Sequence, residues 1–208
     1  MGMPEYLAEI RHAVNSLLPL LWNERTTLEK LSTRLAALTH TTQWEYNAAE
    51  AIAMNAEDAD DVMLATGRYW DTYFGPDQER HETQQEHDEL ESRVEVRRFS
   101  VEALSASVLQ LGKQGIALVH GKHAPQPPLG RCVGSQQLSE ILWQARNQAL
   151  HWEEQDFGNR VHDCFKTLAA DKGPKFSDYL QRNLALDIVD LLGWHTVADF
   201  ERDMLTMS

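Results

Sequence analysis

In the stretch LWQARNQALHWEEQDF, residues 142–157, an arginine stands at 146, an asparagine at 147 and a histidine at 151. A guanidinium is permanently charged and grips phosphate oxygens in pairs, while an imidazole exchanges protons near neutral pH. A fixed cation and a proton-transfer group on one short helical segment are suited to a phosphodiester, provided both point away from the core.

Helical geometry tests that condition. With Ile141 at zero and about 100° per residue, Ile141, Leu142, Ala145, Ala149 and Trp152 fall within roughly 100° of one another and form the core face. Arg146 then lies at about 140° and His151 at about 280°, and between them come Leu150, Trp143, Glu154 and Asn147. Trp143 and Leu150, one heptad apart on this outward strip, predict a second packed surface against another helix of the chain or a partner subunit. A two-fold dimer built on Trp143 and Leu150 would bring two cations and two imidazoles to one cleft.

The sequence RNQALH resembles the signature of the HEPN superfamily, in which an Arg, often followed directly by Asn, precedes a His by four to six residues. The resemblance implies an all-α, HEPN-like helical bundle with long antiparallel helices. It also implies a metal-independent endoribonuclease, often a toxin or defence effector, with its active site at a homodimer interface and no cofactor. Arg146 and His151 would be the catalytic pair and Asn147 the accompanying polar residue. Such a site is chemically economical, because ribose supplies its own nucleophile, the 2′-hydroxyl, and the protein adds a base, a cation and positioning. Glu154 is placed either to orient the imidazole or simply to be solvated. In one branch of the superfamily a Tyr two residues after the His is modified by a partner nucleotidyltransferase; here that position is Glu153. An antitoxin or nucleotidyltransferase is the kind of protein partner the resemblance suggests.

Two other stretches share the spacing, RLAALTH from Arg34 to His40 and RHETQQEH from Arg80 to His87. They lack the Arg-Asn pair and the apolar flanks, and read as a helix end and a solvated helix. The charge distribution also favours the third. The chain carries a net charge of −13, which opposes loose adhesion to nucleic acid, yet residues 97–147 hold six Lys or Arg against Glu102 and Glu140. Lys113, Lys122 and Arg131 are therefore the candidate RNA-binding cations. Residues 45–91 are the opposite, with fourteen Asp or Glu against Arg68 and Arg80.

The elements needed to position these groups are helices, because apolar residues recur at three and four positions almost throughout. A first helix opens at Pro4 and is broken or kinked by Pro19. A leucine seam follows (Leu21, Leu28, Leu31, Leu35, Leu38), with a turn at Thr41 and Thr42. Helix continues from Trp44, breaks near EDADD and ends at FGPD, residues 74–77. A long helix then runs to about residue 120, taking in GIALVH. Residues 121–135 form a Pro- and Gly-rich loop with Ser135 as a cap for the next helix, which Gly158 divides from its continuation. FSDYLQRNLALDIVDLLGW reads as one amphipathic helix, and Thr196 to Leu205 as a last short one.

Composition sets the outer bounds. A chain of 208 residues with 42% hydrophobic content reads as one soluble domain, without an apolar run long enough for a bilayer and with a cytoplasmic location. Cys132 and Cys164 are expected to be free thiols. A metal-binding bundle would call for two Glu-x-x-His pairs, and only Glu9 to His12 supplies one. A noncatalytic helical binding module remains the principal alternative to the ribonuclease.

Overall fold

The structure is a computed structural model; it describes every residue except 57, and side chains except those at 31, 32, 34, 35, 38, 39, 41, 42, 45, 57 and 76–95. It is all-α apart, among the described residues, from one short antiparallel ribbon. The helices are α1 (Met3–Met54), α2 (Ala59–Phe74), α3 (Pro76–His120), α4 (Leu138–His151), α5 (Asn159–Lys172), α6 (Ala185–Leu192) and α7 (Val197–Leu205). The ribbon pairs β1 (Cys132–Val133) with β2 (Gln136–Gln137). The chain gathers into two compact units, Met1–Glu24 with Phe99–Ser208, and Arg25–Arg98.

In the first unit, Pro19 does not end α1. A proline inside a helix costs about 3 kcal/mol, but Leu18 and Leu21 on either side are fully buried, and each such burial stabilises by roughly 1.5–3 kcal/mol. Packing outweighs the lost hydrogen bond. The Tyr6 hydroxyl donates to the Leu111 carbonyl at 2.7 Å, fixing α1 against α3. Two glycines of α3 permit close approaches. A Cβ at Gly112 would stand 2.8 Å from Leu142 of α4, and one at Gly115 would stand 2.6 Å from the Tyr6 ring. Alanine at Gly115 would gain about 1 kcal/mol in helix propensity and lose roughly 1–3 kcal/mol by overpacking against an anchored ring. Gly115→Ala is therefore expected to lower the urea midpoint, and a raised midpoint would contradict this packing.

α3 does extend through GIALVH, with Ile116 fully buried. Ser135 is not the cap of α4. Gly134 and Ser135 turn the ribbon, the N-cap falls on Gln137, and Ser135 instead donates from its backbone and hydroxyl to Asp171 of α5 at 2.6 and 2.8 Å. α4 also stops earlier than expected, at His151, with Gln155 at a positive φ of 54° and α5 starting after Gly158.

The stretch expected as one helix after Lys175 is divided into a 3-10 helix, Pro174–Leu180, and α6. Gln148 of α4 causes the break. Its amide donates to the Tyr179 and Arg182 carbonyls at 2.9 and 2.8 Å and accepts from the Leu184 backbone at 3.0 Å. Asn183 adds a bond to the Ala149 carbonyl at 3.1 Å. These amides replace the helical ladder with bonds to α4. α7 begins as read, with a capping box between Thr196 and Asp199.

The hydrogen bonds at Asp171, chiefly from the Ser135 backbone, and at Asp199, chiefly from the Thr196 hydroxyl, hold both carboxyls below the usual carboxylate range. A folded-state pKa below the unfolded one contributes stability that is present above about pH 4 and lost as the pH falls through the folded value. Asp171→Asn is expected to flatten the acid limb of a melting-temperature profile below about pH 4. An unchanged limb would contradict the assignment.

In the second unit, Asp58 caps α2 by accepting from the Asp60 and Asp61 backbones at 2.9 and 3.0 Å, the break read at EDADD. α2 ends at Phe74 and α3 opens with Pro76, as FGPD predicts. The turn expected at Thr41 and Thr42 does not form, because α1 runs on to Met54; the side chains of the seam residues Leu31, Leu35 and Leu38, and of Arg80 to His87, lie outside those described.

Candidate functional site

α4 carries the site because one of its faces is fully committed to the core. Leu138, Ile141, Leu142, Ala145 and Ala149 are buried, as periodicity requires, and Gln144 and Gln148 are buried beside them. What remains outward is the edge bearing Trp143, Arg146, Asn147 and His151.

Arg146 is half-buried. Its Nε donates to Gln110 of α3 at 2.6 Å and its Nη1 to the Asn147 side chain at 3.2 Å; Nη2 makes no hydrogen bond among the described residues. Burial holds its pKa below the ordinary arginine value. Lys113, three residues after Gln110 on α3, places its ammonium 4.5 Å from the centre of the Trp143 ring. Burial, and then the charge of Arg146, lower the Lys113 pKa. α3 thus supplies an amide and a cation to the motif face of α4. Gln110 was not legible as a site residue, because its only sequence signal is its spacing from Lys113.

His151 is the last residue of α4, and its side chain is 47% exposed. Its Nδ1 stands 3.3 Å from a carboxylate oxygen of Glu154, whose backbone N–H donates to the His151 carbonyl at 3.1 Å. A proton on Nδ1 directed at that carboxylate leaves Nε2 as the lone-pair nitrogen. This is the orienting role open to Glu154 in the sequence.

A cavity of about 550 Å³ opens beside this edge. Trp143, Asn147 and His151 line it from α4, Lys122 and His123 from the loop after α3, and Phe157 from the connection to α5. Arg160 also lines it, but its guanidinium is paired with Glu140 at 2.6 Å. Arg146 is not on the wall; it stands behind Asn147 and is joined to the cavity through that side chain. Lys113 is likewise joined through Trp143.

Comparison of the chain with protein-family models, with curated proteins and with solved structures finds no match.

Two residues expected at the site are elsewhere. Arg131 faces α7, where Nε and Nη2 donate to Asp203 at 2.7 and 2.8 Å and Nη2 also donates to the Leu192 carbonyl at 2.9 Å. It anchors the loop because a buried carboxylate claims it. Leu150 does not share a depression with Trp143. It is 47% exposed and borders a separate groove with Phe99 and Trp152, while Lys113 of α3 covers Trp143. The outward strip is thus divided by α3 rather than open along its length.

Both cysteines are free. Cys164 is buried and its thiol is pushed up to about 12, chiefly by burial, so it stays protonated and unreactive at neutral pH. Glu9 and His12 are both exposed on α1, and among the described residues no three His, Cys, Asp or Glu gather as a metal site. No helix among the described residues is long and apolar enough to cross a membrane.

Proposed function

We propose that the α4 edge is a metal-independent ribonuclease site of HEPN type, in a homodimer whose second copy completes the cleft. The observation that carries this reading is the link from Arg146 through Asn147 to a cavity wall shared with His151. All three motif residues serve one edge of α4, with Lys122 and His123 beside them. Nε2 of His151 takes the proton of the 2′-hydroxyl as O2′ attacks phosphorus. The bond to O5′ breaks, and O5′ takes a proton from the second copy's imidazole. Lys122 offsets the charge that builds on the phosphoryl oxygens, and Arg146 acts through the Asn147 side chain that it holds at the wall. Leu150 and Phe99 supply exposed apolar surface for pairing, and Glu153 stands where one branch of the superfamily carries its modified Tyr. A toxin or defence role, with an antitoxin as partner, belongs to this same reading.

The test is cleavage of mixed RNA by the purified chain in excess EDTA, with the ends analysed. The expected products carry 2′,3′-cyclic phosphates, and DNA and 2′-methoxy RNA remain intact. Cleavage that requires magnesium would reject the mechanism, and intact RNA under all conditions would leave a binding module. Light scattering should give twice the mass of one chain; a monomer at tens of micromolar would remove the shared cleft.

RNA binding should depend on Lys113 and Lys122. Changing each to Glu is expected to weaken affinity and flatten its salt dependence, because each lost phosphate contact releases fewer counterions. Unchanged affinity would place the RNA elsewhere. Arg131 is left out of this test because its substitution would break the Asp203 pair.

A further inference from the structure

The helix α2, sixteen residues long, turns an unusual amount of apolar surface outward. With Val62 at zero and about 100° per residue, Tyr69, Val62, Tyr73, Trp70, Met63 and Phe74 occupy one continuous strip roughly 140° wide. All six are exposed, Met63 to 74% and Phe74 to 65%. The residues α2 does bury, Ala65 and Thr72, lie outside the strip. Its rings pack on one another: Trp70 stacks on Phe74 at 5.6 Å and meets Tyr69 and Tyr73 edge-on at 5.8 and 5.7 Å. At Val62 and Tyr69 the strip continues into a cavity of about 460 Å³ walled by Tyr46 and Ala49 of α1. Contiguous apolar surface of this kind on a soluble protein marks an interaction face.

Charge selects the occupant. Asp60 and Asp71 fall together along one edge of the strip, at about 160° and 180° on the same wheel. Glu50 lines the cavity at the other edge. Residues 45–91 as a whole carry fourteen acidic side chains against two arginines. The same face of a second copy, a nucleic acid or an anionic lipid surface would meet like charge here. A cation meets the reverse, and this unit already holds one on an aromatic ring: the Arg68 guanidinium lies 5.7 Å from the centre of the Trp44 ring.

We propose that the α2 strip is a docking face for a basic amphipathic helix of another protein. The apolar side chains of that helix cover the Trp70 cluster, and its lysines and arginines meet Asp60, Asp71 and Glu50. This is the helix-in-groove mode of recognition with acidic rails. It does not rest on the ribonuclease reading, since α2 and the α4 edge belong to different units.

The full chain is titrated, by fluorescence anisotropy, with a labelled leucine-lysine peptide patterned to place its leucines on one helical face. Binding is expected in the range of about 1–10 µM and to weaken with salt. The double substitution Met63→Ser with Trp70→Ser is expected to weaken it by about tenfold or more. Asp60→Asn with Asp71→Asn should weaken it severalfold and reduce the salt dependence. All four positions are exposed, so circular dichroism should be unchanged. Equal affinity in the Met63 and Trp70 variant, or equal binding of a leucine-glutamate peptide of the same pattern, would overturn the proposal. So would a wild-type dimer that Trp70→Ser dissolves, which would make a second copy the occupant, or tighter binding to phosphatidylserine vesicles than to the peptide.

Discussion

His151→Ala is expected to reduce RNA cleavage by about 10²–10⁴-fold, the usual contribution of a positioned acid–base group, while leaving the melting temperature unchanged. The imidazole sits at the end of α4 with nearly half its side chain in solvent, and its contact is with Glu154, itself exposed. An exposed ion pair of this kind contributes at most about 1 kcal/mol, so the fold loses little. Arg146→Ala is a less clean experiment, because it also strips Gln110 and Asn147 of a shared donor. Arg146→Lys keeps the charge, loses the paired geometry, and should still cut activity. Cleavage that persists in His151→Ala would reject the assigned role. A large fall in melting temperature would instead make the residue structural.

Asp203→Ala is expected to destabilise the fold strongly. The carboxylate is buried and accepts from Arg131 at 2.7 and 2.8 Å and from the indole N–H of Trp194 at 2.8 Å. Trp194 is fully buried, so its N–H would have no acceptor, at a cost of about 1–3 kcal/mol. Breaking a buried ion pair costs roughly 3–5 kcal/mol, and the lower end applies here because the Arg131 side chain is 40% exposed and water can reach it. The ion pair alone, at about 3 kcal/mol, corresponds to a drop of about 6–12 °C in melting temperature for a chain of this size, and the orphaned Trp194 N–H adds to it. Asp203→Asn, which keeps an acceptor for Trp194, should lose less. Equal melting temperatures for wild type and Asp203→Ala would show that this network does not hold α7 to the loop.

The helical class was legible in the sequence because it depends on short-range spacing. Apolar residues at three and four positions, the Asp58 and Thr196 caps, and Gly75-Pro76 between helices act on neighbours within a turn or two, and so did most of the core face of α4. Asn147 and His151 could likewise be placed beside the cavity from helical angles, whereas Arg146 is half-buried behind Asn147. What spacing could not decide were the outcomes set by partners distant in sequence. Pro19 stays inside α1 because the leucines on either side of it are buried. Helix formation fails between Leu180 and Ala185 because the Gln148 and Asn183 amides exchange bonds between that stretch and α4. Arg131 looks like a free surface cation until Asp203, 72 residues later, is brought against it. Trp143 looks like an open interface until Lys113 covers it, and Gln110 looks like any helix glutamine until it meets Arg146. In each case a buried or half-buried polar group must find a partner, and which partner it finds depends on how α3, α4 and α7 pack together rather than on local spacing.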